Sequence, residues 1–453
     1  MTDTIFLPDP DATDRFARLI AQHLQAGDTV LLSGHVGAGK SHFARAVIRS
    51  HFGPSQEVPS PSFTLVQTYQ NDAVEIWHAD LYRLTHPDET QELGLADAME
   101  TAVCLIEWPD RLGAMQPMRP IHLRLTSHGD GRIAEIMAPH HPDLRAALRA
   151  QGLEDFLIGA GWEMASRQAL AGDASGRRYL RLRRGVQTAV LMDAPHGQPD
   201  DPAQFLRISN HLAALGLSPP QCLAQDLVQG FLLLEDLGDD LLARLIETDP
   251  RRELSFMQSA IDVLIHLQSH PAPPNLPDLT ADEWAASAML GIIGDTTPLK
   301  SALAAALRAH ANGPRVLILR DYHCENLLFL PERQGLAQMG LLDFQTAQMG
   351  QPAYDLVSLL QDARRDVTPA IAAQLQLYFI QKTGQSAADF SAQYATLGVL
   401  RALRILGVFT QLNRNGKPQY LRLMPRVRDH LQRNLAHPML ADLQAVFAQY
   451  API

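Results

Sequence analysis

The sequence predicts two folds in one chain: an α/β domain on a mostly parallel sheet, then an α+β domain of two lobes. Three observations carry that expectation. The octapeptide GHVGAGKS, Gly34 to Ser41, follows an apolar run and opens a helix-like one. Far downstream, residues 316 to 345 read VLILRDYHCENLLFLPERQGLAQMGLLDFQ, two apolar runs that lead into Asp321 and Asp343 with Asn326 between them. A length of 453 residues exceeds one ordinary core, so two or three domains are expected.

Composition narrows the class. Hydrophobic content of 46% with 19% charged residues describes a globular chain rather than a disordered one. A net charge of −11 argues against gripping nucleic acid by bulk electrostatics. The three cysteines, Cys104, Cys222 and Cys324, are far apart, offer no zinc spacing and suit a reducing compartment. The start, MTDTIFLPDPDATD, is acidic and lacks the apolar core of a signal peptide. No apolar run reaches the ~18 residues of a membrane span. A cytoplasmic protein with no membrane association is the expectation.

The first domain is placed at residues 1–140. After a short strand at Thr4 to Leu7, Asp11 to Leu24 sets Phe16, Leu19, Ile20 and Leu24 at helical spacing. Thr29 to Leu32 reads as a buried strand, and GHVGAGKS then matches G-x-x-x-x-G-K-[ST] ahead of the helix SHFARAVIRSHF. Gly34, Gly37 and Gly39 would let backbone N–H groups turn inward around phosphate oxygens, helped by the helix N-terminus. Lys40 would reach the β/γ-phosphates and Ser41 would give a hydroxyl to Mg2+. This is an α/β P-loop NTPase domain that binds nucleotide. Two carboxylates compete to complete the site. Asp80 ends the alternating run Val74 to Asp80, and Glu107 ends the wholly apolar run Ala102 to Glu107, the pattern of a buried parallel strand. Either would hold Mg2+ through water, or serve as a salt bridge or helix cap. IHLRLTS-HGDG-RIAEIMA closes the domain as a hairpin.

Taken together, GHVGAGKS, VPSPSFTLVQTY (58 to 69), HADLYRL (78 to 84), QELGL (91 to 95) and IEWPDRL (106 to 112) resemble the TsaE family, small bacterial P-loop ATPases needed for threonylcarbamoyladenosine synthesis in tRNA. The resemblance spans nearly all of residues 1 to 138. It implies that Lys40 and Ser41 bind nucleotide and Mg2+, that Asp80 and Glu107 serve the ATPase site, and that Ser60 to Thr64 form a switch-like loop. The family's S-P-T reads Ser60-Pro61-Ser62 here, which keeps a hydroxyl. It implies a protein partner, the complex that performs the threonylcarbamoyl transfer, and the low pI of about 5.9 argues against direct tRNA binding. The competing reading is a P-loop kinase, weakened because residues 1–140 hold no Arg-rich lid-like insertion.

Ala138-Pro139-His140-His141-Pro142 breaks the hairpin and reads as a short extended linker with solvated histidines. From 141 to 453 the pattern changes. Trp162 to Arg184 reads as a hairpin turning at GDASGRRY, Thr188 to Pro195 as a central strand, and Phe231 to Leu234 as a strand running into Glu235-Asp236-Leu237-Gly238. From Tyr354 onward the chain is helical. A small sheet, an acidic connector and a helical region form an α+β protein-kinase-like plan, with the backbone of Glu235 and Leu237 as the adenine hinge. In that plan Asp321 takes a hydroxyl proton and Asn326 and Asp343 hold Mg2+. His323 and Cys324 are expected to pack, and Arg178 to meet phosphate or solvent.

Departures exclude a protein kinase. There is no G-x-G-x-x-G-x-V, Met192 and Asp193 stand where a phosphate-pairing Lys belongs, and Leu319 replaces the His before Arg-Asp. The segments GDASGRRYLRL, AVLMDAP, LLLEDLGD, LRDYHCENLLFLPER and GLLDFQTAQMGQPAYDLVSLLQDARRDV resemble the anomeric amino-sugar kinases of the aminoglycoside phosphotransferase superfamily. The resemblance spans nearly all of 148 to 453. It implies ATP-dependent phosphorylation of N-acetylmuramate or N-acetylglucosamine at the anomeric hydroxyl, for cell-wall recycling. Rival readings are an aminoglycoside- or choline-type phosphotransferase, or a nucleotide-binding pseudo-kinase that lacks the Lys.

Overall fold

The computed structural model describes residues 2–84, 89–170, 177–194, 201–292 and 294–450. Residues 171–176, which include the whole of GDASG, lie outside that set, as does Pro195. The chain forms two compact units, Met1–Pro202 with Leu223–Leu233, and Ala203–Cys222 with Leu234–Ile453.

The first unit opens with β1 (Asp3–Leu7), α1 (Pro10–Ala21), β2 (Asp28–Ser33) and α2 (Lys40–Phe52). It continues through β3 (Val66–Gln70), β4 (Glu75–Asp80), α3 (Glu89–Glu92), α4 (Leu95–Thr101), β5 (Val103–Glu107), β6 (Arg119–His128) and β7 (Gly131–Met137). Helix α1 starts where it does because the Asp9 carboxylate accepts from Ala12 N at 2.6 Å and Pro10 presets the first turn. The seven strands run in the order β1-β7-β6-β2-β5-β4-β3. Strand β2 lies between β5 and β6, parallel to both, and β5 is also parallel to β4. That central position buries both faces, which is why β5 reads VCLIE with every residue buried. The β6–β7 hairpin forms as expected, and β7 goes on to pair antiparallel with β1.

After the sheet come α5 (Pro142–Gly159), β8 (Ser166–Ala169), β9 (Arg178–Arg184) and β10 (Gln187–Asp193). A second sheet takes the order β11-β12-β10-β9-β8, with β11 at Cys222–Asp226 and β12 at Phe231–Glu235, so β10 is central as its apolar sequence requires. Helix α5 corrects the reading of residues 138 to 142 as a solvated linker. His141 is buried and its Nε2 donates to Asp28 Oδ1 at 3.0 Å, while Arg119 Nε pairs with the same oxygen at 3.0 Å. Leu144 and Leu148 join the core of the seven-stranded sheet, and Leu157 joins Leu182, Leu191 and Leu233 in the core of the five-stranded one. Residue 140 therefore falls inside a compact unit, because one helix closes two cores.

The second unit holds α6 (Pro202–Ala214), α7 (Leu242–Thr248), α8 (Glu253–Gln268), α9 (Ala281–Ser287) and α10 (Thr297–His310). Two short antiparallel ladders follow, β13 (Val316–Ile318) with β16 (Gln348–Gly350), and β14 (Leu327–Phe329) with β15 (Met339–Leu341). Helices α11 (Ala353–Leu360), α12 (Pro369–Thr383), α13 (Ala387–Arg414), α14 (Met424–Leu435) and α15 (Ala441–Tyr450) complete it. Contrary to the sequence expectation, α13 has the length and composition of a membrane span. It buries Phe390, Leu397, Val399, Leu400 and Phe409, and packs on α10, α11 and α14 as a core helix.

Candidate active sites

The first site is assembled where β2 turns into α2. Gly34, Gly37 and Gly39 have φ of 140°, 83° and 104°. A Cβ on Gly34 would strike the Leu125 carbonyl, and one on Gly39 would strike the guanidinium of Arg132. Lys40 Nζ folds back to donate to Gly34 O at 2.8 Å and His35 O at 3.0 Å, and it lies 3.9 Å over the Trp108 ring. Burial lowers the Lys40 pKa, and the carboxylates of Glu107 and Asp80 oppose that shift.

Both candidate carboxylates come to this loop. Asp80 and Glu107 are register partners at the carboxyl ends of the parallel strands β4 and β5. Ser41 Oγ donates to Glu107 Oε2 at 3.0 Å, and His78 Nε2 donates to Glu107 Oε1 at 3.0 Å. Asp80 Oδ2 accepts from Ser62 Oγ at 2.6 Å, and Ser60 Oγ is 2.8 Å from Ser62 Oγ. The switch-like loop is thus tied to one acid and the P-loop hydroxyl to the other. Hard oxygen donors around a phosphate cradle fit Mg2+, which would be held by Ser41 and Glu107 with Asp80 alongside. The sequence reading missed three contributors: His78, Trp108 and Arg132. His78 and Trp108 flank the two acids in sequence. Arg132 reaches the loop from β7, and nothing local in the sequence signals it.

The second site lies wholly in the second unit. Strand β13 ends at Ile318, and the turn after it puts Arg320 at φ 74°. Asp355, buried at the start of α11, holds that turn: Oδ2 accepts from Leu319 N at 2.7 Å and Oδ1 from Arg320 N at 2.9 Å. Burial raises the Asp355 pKa to about 6, with those two amide bonds opposing the shift. Asn326 Nδ2 donates to Asp321 O at 2.9 Å and is 3.5 Å from Asp343 Oδ2. Asp343 itself takes φ 54°, and Gln345 Nε2 donates to its Oδ1 at 2.6 Å. Asp321, Asn326 and Asp343 are therefore brought together. The Asn326 and Asp343 oxygens would suit Mg2+.

Asp355 and Gln345 are the residues that sequence reading missed here. His323 and Cys324 are buried, the one with its pKa pushed well below the usual range, the other pushed up to about 12, both chiefly by burial. That matches their expected packing role. At the hinge, Glu235 N donates to Gln221 O at 2.8 Å and the Glu235 carboxylate pairs with Arg333. The Glu235 amide is thereby spent, so an adenine contact from this residue falls to its carbonyl, with Leu237 two residues on.

At the strand position of the absent Lys, Asp193 is 3% exposed and is held between Arg149 of α5 and Arg178 of β9. Arg178, expected at phosphate or in solvent, is largely exposed and also pairs with Asp193.

The first site defines a P-loop nucleotide-binding domain and the second a kinase-like phosphotransferase. The family model for threonylcarbamoyl adenosine biosynthesis protein TsaE matches residues 7–134, and that for the phosphotransferase enzyme family matches 166–390. An N-acetylmuramate/N-acetylglucosamine kinase of Caulobacter vibrioides is 38% identical over 347 residues, covering 66% of this chain and 95% of that protein. A protein of the same name from Pseudomonas aeruginosa is 32% identical, covering 65% and 93%. A tRNA threonylcarbamoyladenosine biosynthesis protein TsaE of Rickettsia conorii is 34% identical over 151 residues, covering 33% and 86%. The chain belongs to the TsaE family through its first part and to the N-acetylmuramate/N-acetylglucosamine kinase family through the rest.

Proposed function

We propose that the chain joins two ATP-dependent activities in the cytoplasm. Its first part is an accessory ATPase for threonylcarbamoyladenosine modification of tRNA, acting on the protein complex that carries out the transfer. The rest phosphorylates N-acetylmuramate or N-acetylglucosamine at the anomeric hydroxyl and yields a sugar 1-phosphate for cell-wall recycling. The observation that carries the kinase reading is the convergence of Asp321 and Asn326 with Asp343, which comes from a separate turn. Asp321 accepts the sugar hydroxyl proton late in transfer, while Asn326 and Asp343 would hold Mg2+. When bound, Mg2+ supplies charge neutralisation at the phosphates. For the ATPase, the supporting observation is Glu107, fixed between Ser41 and His78 beside the phosphate loop. Incubating the full chain with ATP, Mg2+ and a panel of amino sugars, then locating the phosphate, tests the kinase reading. Phosphate at the anomeric oxygen supports it. Turnover of aminoglycosides alone, or ATP binding without turnover, defeats it.

A further inference from the structure

Beside the catalytic turn of the second unit, two arginines lack a counter-charge. Arg320 immediately precedes Asp321 and donates from Nη1 to Thr346 O at 3.3 Å, while its Nε is buried with no partner. Arg404, on α13, donates from Nη1 to the buried Tyr354 hydroxyl at 2.6 Å and lies 5.4 Å from the Trp284 ring centre. Trp284 in turn packs on Tyr354 with centroids 5.3 Å apart, so α9, α11 and α13 together fix the Arg404 head. Among the described residues, neither guanidinium has a carboxylate within 4.0 Å. The nearest acids are otherwise engaged: Asp355 holds the Leu319 and Arg320 amides, and Asp321 is the proposed base. The two guanidiniums are close enough to repel, and after burial this repulsion is the largest influence that lowers the Arg320 pKa.

Two half-buried like charges held by neutral oxygens, with Asp321 the one carboxylate that acts on Arg320, are only partly compensated for their lost hydration. An arginine pair is also the natural receptor for a planar carboxylate. Resting on the kinase reading above, we infer that Arg320 and Arg404 form a subsite for the substrate's carboxylate, the lactyl group that N-acetylmuramate carries and N-acetylglucosamine lacks. The subsite sits on the same turn as Asp321, so seating the carboxylate also aims the sugar at the base. N-acetylglucosamine binds with that subsite unfilled. The shared sugar ring keeps it a substrate, and the arginines set the preference between the two.

The test is steady-state kinetics on the full chain with N-acetylmuramate, its methyl ester and N-acetylglucosamine. The wild type is expected to favour the free acid over the ester. Arg404→Gln is expected to cut kcat/KM for N-acetylmuramate on the order of 10- to 100-fold further than for the other two sugars, mainly through KM. Arg404→Lys should fall between. Equal losses on all three sugars would overturn the assignment, as would a wild type indifferent to esterification, which needs no variant to fold. A raised KM for ATP common to all three sugars would instead give the arginines to phosphate. Turnover without discrimination sinks this inference alone, whereas no turnover of any of the three sugars by the wild type sinks the kinase reading with it.

Discussion

Gly34 to Ser41 gather a phosphate cradle from eight consecutive residues, with backbone geometry doing most of the binding. The second site draws Asp321, Asn326 and Asp343 from separate turns, and holds them with Asp355 and Gln345, which touch no reacting atom. The loop itself needs only that a strand and a helix meet, and Asp80 and Glu107 are brought to it by the neighbouring strands β4 and β5. The second needs two short ladders, β13–β16 and β14–β15, to close before its ligands converge. A local device tolerates change outside its loop, whereas an assembled one depends on buried polar groups some distance from the chemistry.

The sharpest break between the two should come from Asp321→Asn. Loss of a positioned base is expected to cut sugar phosphorylation on the order of 10²- to 10⁴-fold while ATP hydrolysis by the first site continues; unchanged sugar turnover would show that the base lies elsewhere. The reciprocal change, Lys40→Ala, is expected to abolish most ATP hydrolysis at the P-loop and leave sugar phosphorylation intact. A kinase activity that fell with it would mean that the sites are coupled. Asp193→Ala should touch neither loop. Removing the shared partner of the half-buried Arg149 and the largely exposed Arg178 is expected to cost about 1–2 kcal/mol, read as a lowered thermal midpoint.

The last contrast is a pH dependence of the assembled site. The Asp355 pKa is raised from 3.8 to about 6, so the favourable contribution exists below the unfolded value and is lost as pH rises through 6. Its ionisation costs the fold up to ~3 kcal/mol above that range. Stability of Asp355→Asn relative to the wild type should therefore improve between pH 4 and pH 7. A flat difference across that window would place the titration elsewhere.

What the sequence made legible follows the same division. The P-loop, Glu107, Asp321 and Asp343 were readable because each follows or ends an apolar run that reads as a buried strand, while Asp80 ended an alternating run and Asn326 stood at a fixed spacing from Asp321. His78 was missed because a histidine inside an alternating strand looks like any core residue, and its bond to Glu107 spans two strands. Asp355 was hidden in YDLVSLL, where an acid on a helix suggests solvent, yet both its oxygens are buried against backbone amides. Arg404 was hidden in the long helix α13, and only the fold places it near Trp284 and Tyr354. The pair of histidines at the join misled for a related reason. Proline on either side signals an extended chain, but Pro142 also presets the first turn of a helix, and α5 begins there.

Helix α5 bears on any attempt to separate the two activities genetically. A break at residue 140 would part His141 from Asp28 and strip Leu144 and Leu148 from the sheet they cover. A break beyond residue 159 would uncover Leu182, Leu191 and Leu233 instead. Neither fragment is a natural product of the cut, because an apolar face is left wet on one side or the other. Parting the chain at that seam would call for a second helix, so that each sheet keeps its own cover.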